Sequence, residues 1–462
     1  MTHQGRERQN HQLKELIEAS ALSYAAVAAR VRTVASEHGE TLRTNKSTVQ
    51  HWISGARPAG RTPWFLAQAL SRRLGRTLAV EDLGFPRHAA QVHDGTGLSL
   101  DTDPIDALLP IWKAELDVDR RRFLSASAYS AAAALLPLEA VNEVAARAAM
   151  AKTGATLGVA DVAAVRDMVS MFTEMDERHG GQHGRTALIS YLRDDVAPLC
   201  RAQFSSEQTH GEMLMIASRA VHLAGFKAYD AGEHGLAQRY YLQSFRLAAE
   251  SRVLGADGLV LRTMALQGLK RNRPEECVAL AETAVSRLKG KADPYTEATF
   301  RSALAHTYAK AGRDSDAVAE VNHSQNLMAV QQPPEAIPFW VQAWGPPKGT
   351  VFARVAEVFN ELDDPANAAS QYARAVASRA DKTYARVNAL NTAAEARMHL
   401  QRGHIESACE AWGRSLDLMT GVRSERTKKA VASMRRQLAV FRDRGVRQAA
   451  ELDDRARVYL AT

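Results

Sequence analysis

Residues 45–55 read Asn-Lys-Ser-Thr-Val-Gln-His-Trp-Ile-Ser-Gly. Val49, Trp52 and Ile53 recur at i, i+3 and i+4, the spacing of a short helix anchored along one apolar stripe. Its other face carries Lys46, Ser47, Thr48, Gln50 and His51. Amide, hydroxyl and cationic groups on one exposed helix face suit hydrogen bonding to base edges: Gln pairs with adenine, Lys or Arg with guanine. Arg43 and Asn45 precede this helix, and Arg57 and Arg61 follow it on a Pro/Gly-punctuated loop, placed for phosphate oxygens. Charge segregates in the same region. Residues 1–90 hold 13 Lys/Arg against 7 Asp/Glu, and the other 372 residues hold 46 against 45. A basic segment beside such a helix has the electrostatic footprint of a phosphate binder.

That helix needs a small core to stand on. Leu13, Leu16 and Ile17 predict a first helix, and Ser23 caps a second that buries Val27, Ala28, Val31, Val34 and Ala35 and ends near Gly39. Gly55 stops the third. Pro63 opens a fourth with Phe65, Leu66, Ala69, Leu70 and Leu74 inward, and Leu78, Val80, Leu83 and Phe85 close the bundle. Residues 11–86 resemble helix-turn-helix domains of the Xre/Cro type, most specifically at 47–55. The resemblance implies a domain at 1–88 that lays its third helix in the major groove of double-stranded DNA. Helix two and its loop are longer than in the short form of that unit.

No GxSxG, Walker-type loop, HExxH or GxGxxG pattern occurs. An enzyme is therefore not expected, and no cofactor or metal is implied. His179-Gly180-Gly181-Gln182-His183, with Asp176 and Glu177 nearby, has metal-ligand residue types but reads as a Gly-softened turn between helices. The three cysteines, Cys200, Cys277 and Cys409, lie far apart and read as small buried hydrophobes in a reducing compartment. No apolar run long enough to span a membrane occurs, and Met1–Asn10 has no apolar core, so neither a membrane span nor a secretory signal is expected. Arg120-Arg121-Arg122-Phe123-Leu124 with the alanine-rich stretch to Leu136 mimics an export signal, but its internal position favours a basic helix start.

His88–Pro104 lacks periodicity and reads as a linker (89–104). Beyond it the chain repeats. A Gly/Asn/Asp followed five residues later by a small residue occurs at Gly232/Ala237, Asn272/Cys277, Gly312/Ala317, Asp363/Ala368 and Gly403/Ala408. Four residues further stand Tyr241, Ala281, Val321, Tyr372 and Trp412, then Ser244, Ala284, Ser324, Ala375 and Ser415. Seven before each turn stand Gly225, Ala265, Ala305, Ala356 and Ala396. Small residues at this spacing let two antiparallel helices approach closely, and larger ones fill the groove to the next pair. The pattern resembles tetratricopeptide repeats, with HEAT-like repeats as the structural alternative. The expected architecture is all-α: the bundle, helical connecting segments or degenerate repeats at 105–210, repeats at 211–424 and capping helices at 425–462. A Pro/Trp-rich insertion at 331–349 reads as a rigid spacer or as a pocket wall.

In such a superhelix the first helix of each pair lines the concave face. The residues expected there are His222, Phe226, Tyr229, Arg262, Lys270, His306, Lys310, Glu357, Asn360 and Arg397, a mixture suited to a peptide, metabolite or protein effector. The whole order is a basic helix-turn-helix, an Asp-Arg-Arg-Arg-Phe-Leu helix, Arg-His-Gly-Gly running into Tyr191-Leu192-Arg193, then repeats. It is similar to a group of actinobacterial regulators, some of which repress antibiotic production and sporulation. The resemblance implies a cytoplasmic, nucleoid-associated transcription factor, expected to act as a homodimer on a palindromic operator. The other class open to this chain is a repeat-based scaffold or anti-activator that touches DNA only non-specifically.

Overall fold

The computed structural model describes residues 10–37, 42–56, 58, 62–74, 78, 81–85, 96–116, 153–270, 273–288, 290–342, 345–380 and 383–461. Gly39, Arg57, Arg61, Val80, the 120–136 stretch, Asn272 and Trp344 lie outside them. The chain divides into two compact units, Met1–His93 and Asp94–Thr462.

The small unit contains α1 (His11–Ala19), α2 (Tyr24–Glu37), α3 (Lys46–Ile53), α4 (Thr62–Leu74) and a 3-10 turn (Glu81–Leu83). The expected apolar positions form one core, with Leu13, Ile17, Val31, Val49, Phe65, Leu70 and Leu83 at its centre. Asn10 ties three elements together. Its backbone N–H donates to Ile53 O (2.8 Å), its Nδ2 donates to Leu83 O (2.8 Å), and its Oδ1 accepts from Leu13 N (3.0 Å). Ser23 Oγ caps α2 by accepting from Ala26 N (3.2 Å).

The large unit opens with α5 (Pro104–Leu116). It continues through strand β1 (Thr153–Leu157), α6 (Val159–His179) and α7 (Arg185–Tyr191), which passes by a π turn into α8 (Ala197–Cys200) and then strand β2 (Ala202–Phe204). Six helix pairs follow: α9 (Glu207–Asp230) with α10 (His234–Ser251), α11 (Ala256–Leu269) with α12 (Pro274–Ser286), and α13 (Pro294–Lys310) with α14 (Asp314–Ala329). The last three are α15 (Pro347–Glu361) with α16 (Pro365–Ala377), α17 (Ala385–Gln401) with α18 (Ile405–Leu418), and α19 (Glu425–Asp443) with α20 (Arg447–Ala461). Each pair packs as a hairpin and neighbouring hairpins stack, so the unit is a tetratricopeptide-like α-solenoid. The aligned small residues are its close contacts: Ala237, Ala265, Ala305, Ala356, Ala396 and Ala408 are fully buried. A Cβ on Gly225 would lie 2.7 Å from the Tyr241 ring. Gly232, Gly312 and Gly403 turn the chain with φ of 83°, 72° and 77°, the left-handed residue that ends a helix; Asp363 does so at 56°. The closing helices form a sixth hairpin turned at Gly445.

The elements of the described residues are helical throughout, as expected, apart from the short strands β1 and β2, which pair in parallel. One expectation is corrected: the part of the proposed linker at 96–103 is not a loose connection but is bound to α10. Arg239 Nε donates to Thr96 O (2.8 Å), and Gln243 Nε2 donates to Gly97 O (2.8 Å) and Ser99 O (3.1 Å). A segment without periodicity can be ordered when side chains elsewhere satisfy its backbone. The insertion also resolves. Trp340 is buried near Phe300, with ring centroids 6.4 Å apart, and packs against the start of α11. The three cysteines are buried, and burial pushes the Cys200 thiol up to about 12.

α6 crosses the first helices of the first and fifth hairpins, α9 and α17, and a buried charge cluster holds it there. Arg386 Nη2 donates to Asp176 Oδ2 (2.6 Å) and Glu177 Oε1 (2.8 Å), while Lys227 Nζ donates to Asp176 Oδ1 (2.9 Å). The His179-Gly180-Gly181 segment is part of this clasp. His179 O accepts from Arg423 N (2.8 Å) and Gly181 N donates to Asp230 Oδ2 (3.2 Å). A Cβ on Gly180 would meet Arg423 O at 2.2 Å, so the glycine is required by close backbone approach. A second buried cluster, Arg185 with Glu115 (2.9 Å) and Glu233 (2.6 Å), joins α5, α7 and the first hairpin.

Candidate nucleic-acid interface and ligand cavity

In the small unit, α3 buries Val49, Trp52 and Ile53 and leaves Lys46, Ser47, Gln50 and His51 exposed. Arg43 and Asn45, just ahead of the helix, are also exposed. The helix start is rigidly set. Asn45 Oδ1 accepts from Thr48 N (2.9 Å) and Thr48 Oγ1 (3.0 Å), and Asn45 N donates back to Thr48 Oγ1 (3.3 Å). This capping box engages Asn45 Oδ1 and the half-buried Thr48 hydroxyl locally. Arg32 Nη1 donates to Thr44 O and pins the approach to the helix on α2. Ser54 N and Oγ both donate to Gln50 O (2.9 and 3.0 Å), closing the far end while the Gln50 side chain stays outward. Asn45→Ala is expected to destabilise this unit by about 1 kcal/mol through loss of the cap. A thermal melt with an unchanged midpoint for the small unit would contradict that role.

The large unit holds a cavity of about 160 Å³. It is walled by α6 and the inward helices of five hairpins, α9, α11, α15, α17 and α19, with contributions from α10 and the α16–α17 connection. Phe226, Tyr229, Arg262, Lys270 and Glu357, all expected on the concave face, line it. Arg354, Arg379, Arg386, Arg426, Asn391 and Glu177 line it too and were not anticipated. Arg354 and Asn391 stand on the inward helices a turn or so from the aligned alanines, a signal that helical spacing contained. Arg426 belongs to the closing hairpin and Glu177 to α6, which only the tertiary arrangement brings in.

The other expected residues are not on the cavity wall. His222 is buried behind it, where Nδ1 accepts from Arg219 (3.0 Å) and Nε2 donates to Thr263 Oγ1 (3.0 Å); burial holds its pKa well below the ordinary value. Asn360 is half-buried and Arg397 exposed, and neither lines the cavity. Lys310 pairs with Glu361 (2.5 Å). His306, Glu357 and Glu361 bring ligand atoms within 4.8 Å of one another. Burial and the Arg354 cation lower the His306 pKa to about 3, and Arg354 Nη1 donates to its Nδ1 (3.1 Å). The neutral ring therefore carries its proton on Nε2 and has no lone pair to offer a cation.

The electrostatics of the cavity are positive. Burial alone raises the Tyr229 hydroxyl, yet Lys270 and Arg426 outweigh it and the pKa falls. Glu357 behaves alike: burial raises it, and the neighbouring charges, the Arg354 and Lys270 cations among them, bring it below the ordinary carboxylate value. Burial lowers Arg262 to about 9, with Arg354 adding repulsion. On the clasp side burial raises Glu177, while the Arg386 and Lys227 cations hold Asp176 low against its own burial.

Among the described residues no helix is long and apolar enough to cross a membrane. No curated protein matches the chain. Among solved structures, a signal transduction ATPase with numerous domains from Pyrococcus horikoshii, carrying a tetratricopeptide repeat sensor, is similar at 12% identity and a TM-score of 0.38, over 99% of this chain and 76% of that one. The N-terminal part is similar to a named family: the SP15 N-terminal domain model matches residues 13–86, from α1 past the 3-10 turn that closes the small core.

Proposed function

We propose that this chain is a sequence-specific DNA-binding transcriptional regulator of the Xre/Cro helix-turn-helix kind, with its repeat unit as the dimerising and effector-binding body. The observation that carries this reading is α3. Its apolar stripe is buried, its start is locked by the Asn45–Thr48 box, and its outward face presents Lys46, Ser47, Gln50 and His51. A rigid helix with a hydrogen-bonding face, in the segment that holds most of the net charge, is what major-groove readout requires. Arg43 is placed for a phosphate, as are Arg57 and Arg61 by sequence. The similarity to actinobacterial regulators supports repression of differentiation or secondary metabolism and a nucleoid-associated location. An effector in the repeat unit would act by binding one arrangement of the dimer better than another.

Selection of genomic fragments by the full chain at two salt concentrations tests this. The expected result is a shared palindromic motif that survives the higher salt. Gln50→Ala should cost about 1–3 kcal/mol on the preferred sequence and relax one base position. Arg43→Ala should weaken all sequences alike and lower the salt slope by about one. Sequence-blind losses from both variants, or enrichment without a motif, would point instead to a scaffold with non-specific tethering.

A further inference from the structure

Six cationic side chains line the large-unit cavity against the two carboxylates Glu177 and Glu357. Adding Lys227, Asp176 and Asp230, which back the clasp side, leaves seven cations facing four carboxylates. A partly buried surplus of positive charge is costly unless something negative neutralises it. Buried donors on the wall also lack a hydrogen-bond partner among the described residues: Arg354 Nε and Asn391 Nδ2.

We propose that this cavity binds a compact polyanion, a small metabolite with two or three negative charges carried on carboxylate or phosphoryl oxygens. The volume sets the size. About 160 Å³ is close to an engineered cavity of ~150 Å³ that holds a benzene-sized molecule, so a ligand of up to about ten non-hydrogen atoms fits. The charge surplus of three sets the ligand charge. Arginines, with planar multi-donor heads, match carboxylate and phosphoryl oxygens equally well. The aromatic faces stabilise the cations: Arg386 lies 4.9 Å from the Phe226 ring centroid, and Lys270 and Arg426 lie 5.5 and 5.4 Å from that of Tyr229. That the Tyr229 hydroxyl and the Glu357 carboxyl both move toward their charged forms shows the same positive field. Glu177 and Arg386 belong to both the cavity wall and the clasp that joins α6 to α17, so the anion also reports on that closure. The inference deepens the effector part of the reading above and does not depend on DNA binding.

The test uses the full chain without DNA, titrated calorimetrically and by thermal melt with succinate and with pyrophosphate, against potassium chloride at matched ionic strength. The expected result is saturable binding and a rise of about 3 °C or more in the large-unit midpoint with at least one probe. Succinate alone, pyrophosphate alone, or both would identify carboxylate, phosphoryl or purely charge-based recognition. Arg354→Gln and Lys270→Gln are each expected to weaken binding at least about tenfold. Arg444→Gln, an exposed cation on the closing hairpin, removes the same charge and should leave binding unchanged. The Lys270 side chain is exposed on one flank, so that variant remains folded even if Arg354→Gln does not. No shift beyond chloride with either probe, or equal binding by Lys270→Gln and wild type, overturns the proposal. DNA selection, run separately, can fail without touching this result.

Discussion

Arg386→Ala is expected to destabilise the large unit by about 3–5 kcal/mol, because it leaves buried carboxylates without their counter-ion. Arg386 is 1% exposed and reaches Asp176 at 2.6 Å, Glu177 at 2.8 Å and Asp230 at 3.7 Å. Among the described residues, the buried Lys227 is the cation that remains for Asp176 after the substitution. Burial and, after it, the Asp176 charge raise the Glu177 pKa, and the repulsion between the two carboxylates would then be unopposed on the α17 side. The loss should be local as well as global. Amide hydrogen exchange ought to accelerate first at 176–183 and 422–427, where α6 meets α9, α17 and the start of α19. Asp176→Asn placed on the Arg386→Ala background should recover part of the stability by removing one stranded charge, a non-additive outcome expected of a coupled cluster. A midpoint change equivalent to under about 1 kcal/mol for Arg386→Ala would mean that the cluster is hydrated and the clasp is held by backbone contacts alone.

Trp52→Ala is expected to unfold the small unit while sparing the large one. Truncating a buried tryptophan costs about 3–5 kcal/mol, and a domain of this size has total stability of the same order. Trp52 packs in the core formed by α1 to α4, beside Val49 and Ile53. Calorimetry of the full chain should therefore lose one transition and retain the other, since the two units are separate compact bodies. DNA binding should disappear with the first transition, whereas succinate or pyrophosphate binding in the large unit should persist. Retained sequence-specific DNA binding would show that α3 is not the reader. A matching loss of the second transition would show that the units fold as one.

Helical spacing carried the small core almost completely. Leu13, Ile17, Val27, Val31, Val49, Trp52, Phe65 and Leu70 are buried where their periodicity places them. Spacing alone could not foresee that Asn45 and Thr48, both read as DNA-contacting groups, are held in a capping box. A short polar side chain at a helix start satisfies its own backbone as readily as an external partner. The repeat register was equally legible, because close helix approach demands small residues at fixed intervals and leaves a written period. The strands β1 and β2 were not legible. They are short, they pair across nearly fifty residues, and their order comes from a neighbouring segment instead of local alternation.

Short-range periodicity accounts for two kinds of helical unit, the exposed polar face of α3, the hairpin turns and the inward face of each first helix. Tertiary structure alone decided which of those inward residues meet. Superhelical curvature brings Glu177, Arg386 and Arg426 from the two ends of the large unit to Phe226, Lys270 and Arg354, and leaves Asn360 and Arg397 off the wall. Curvature accumulates from small rotations at every hairpin interface, so no local pattern encodes it. The Asp176–Gly181 segment illustrates the same division. Its residue types suggested a turn with metal-like ligands, and only the approach of Arg386 and Arg423 from more than two hundred residues away turned it into a charge-locked clasp.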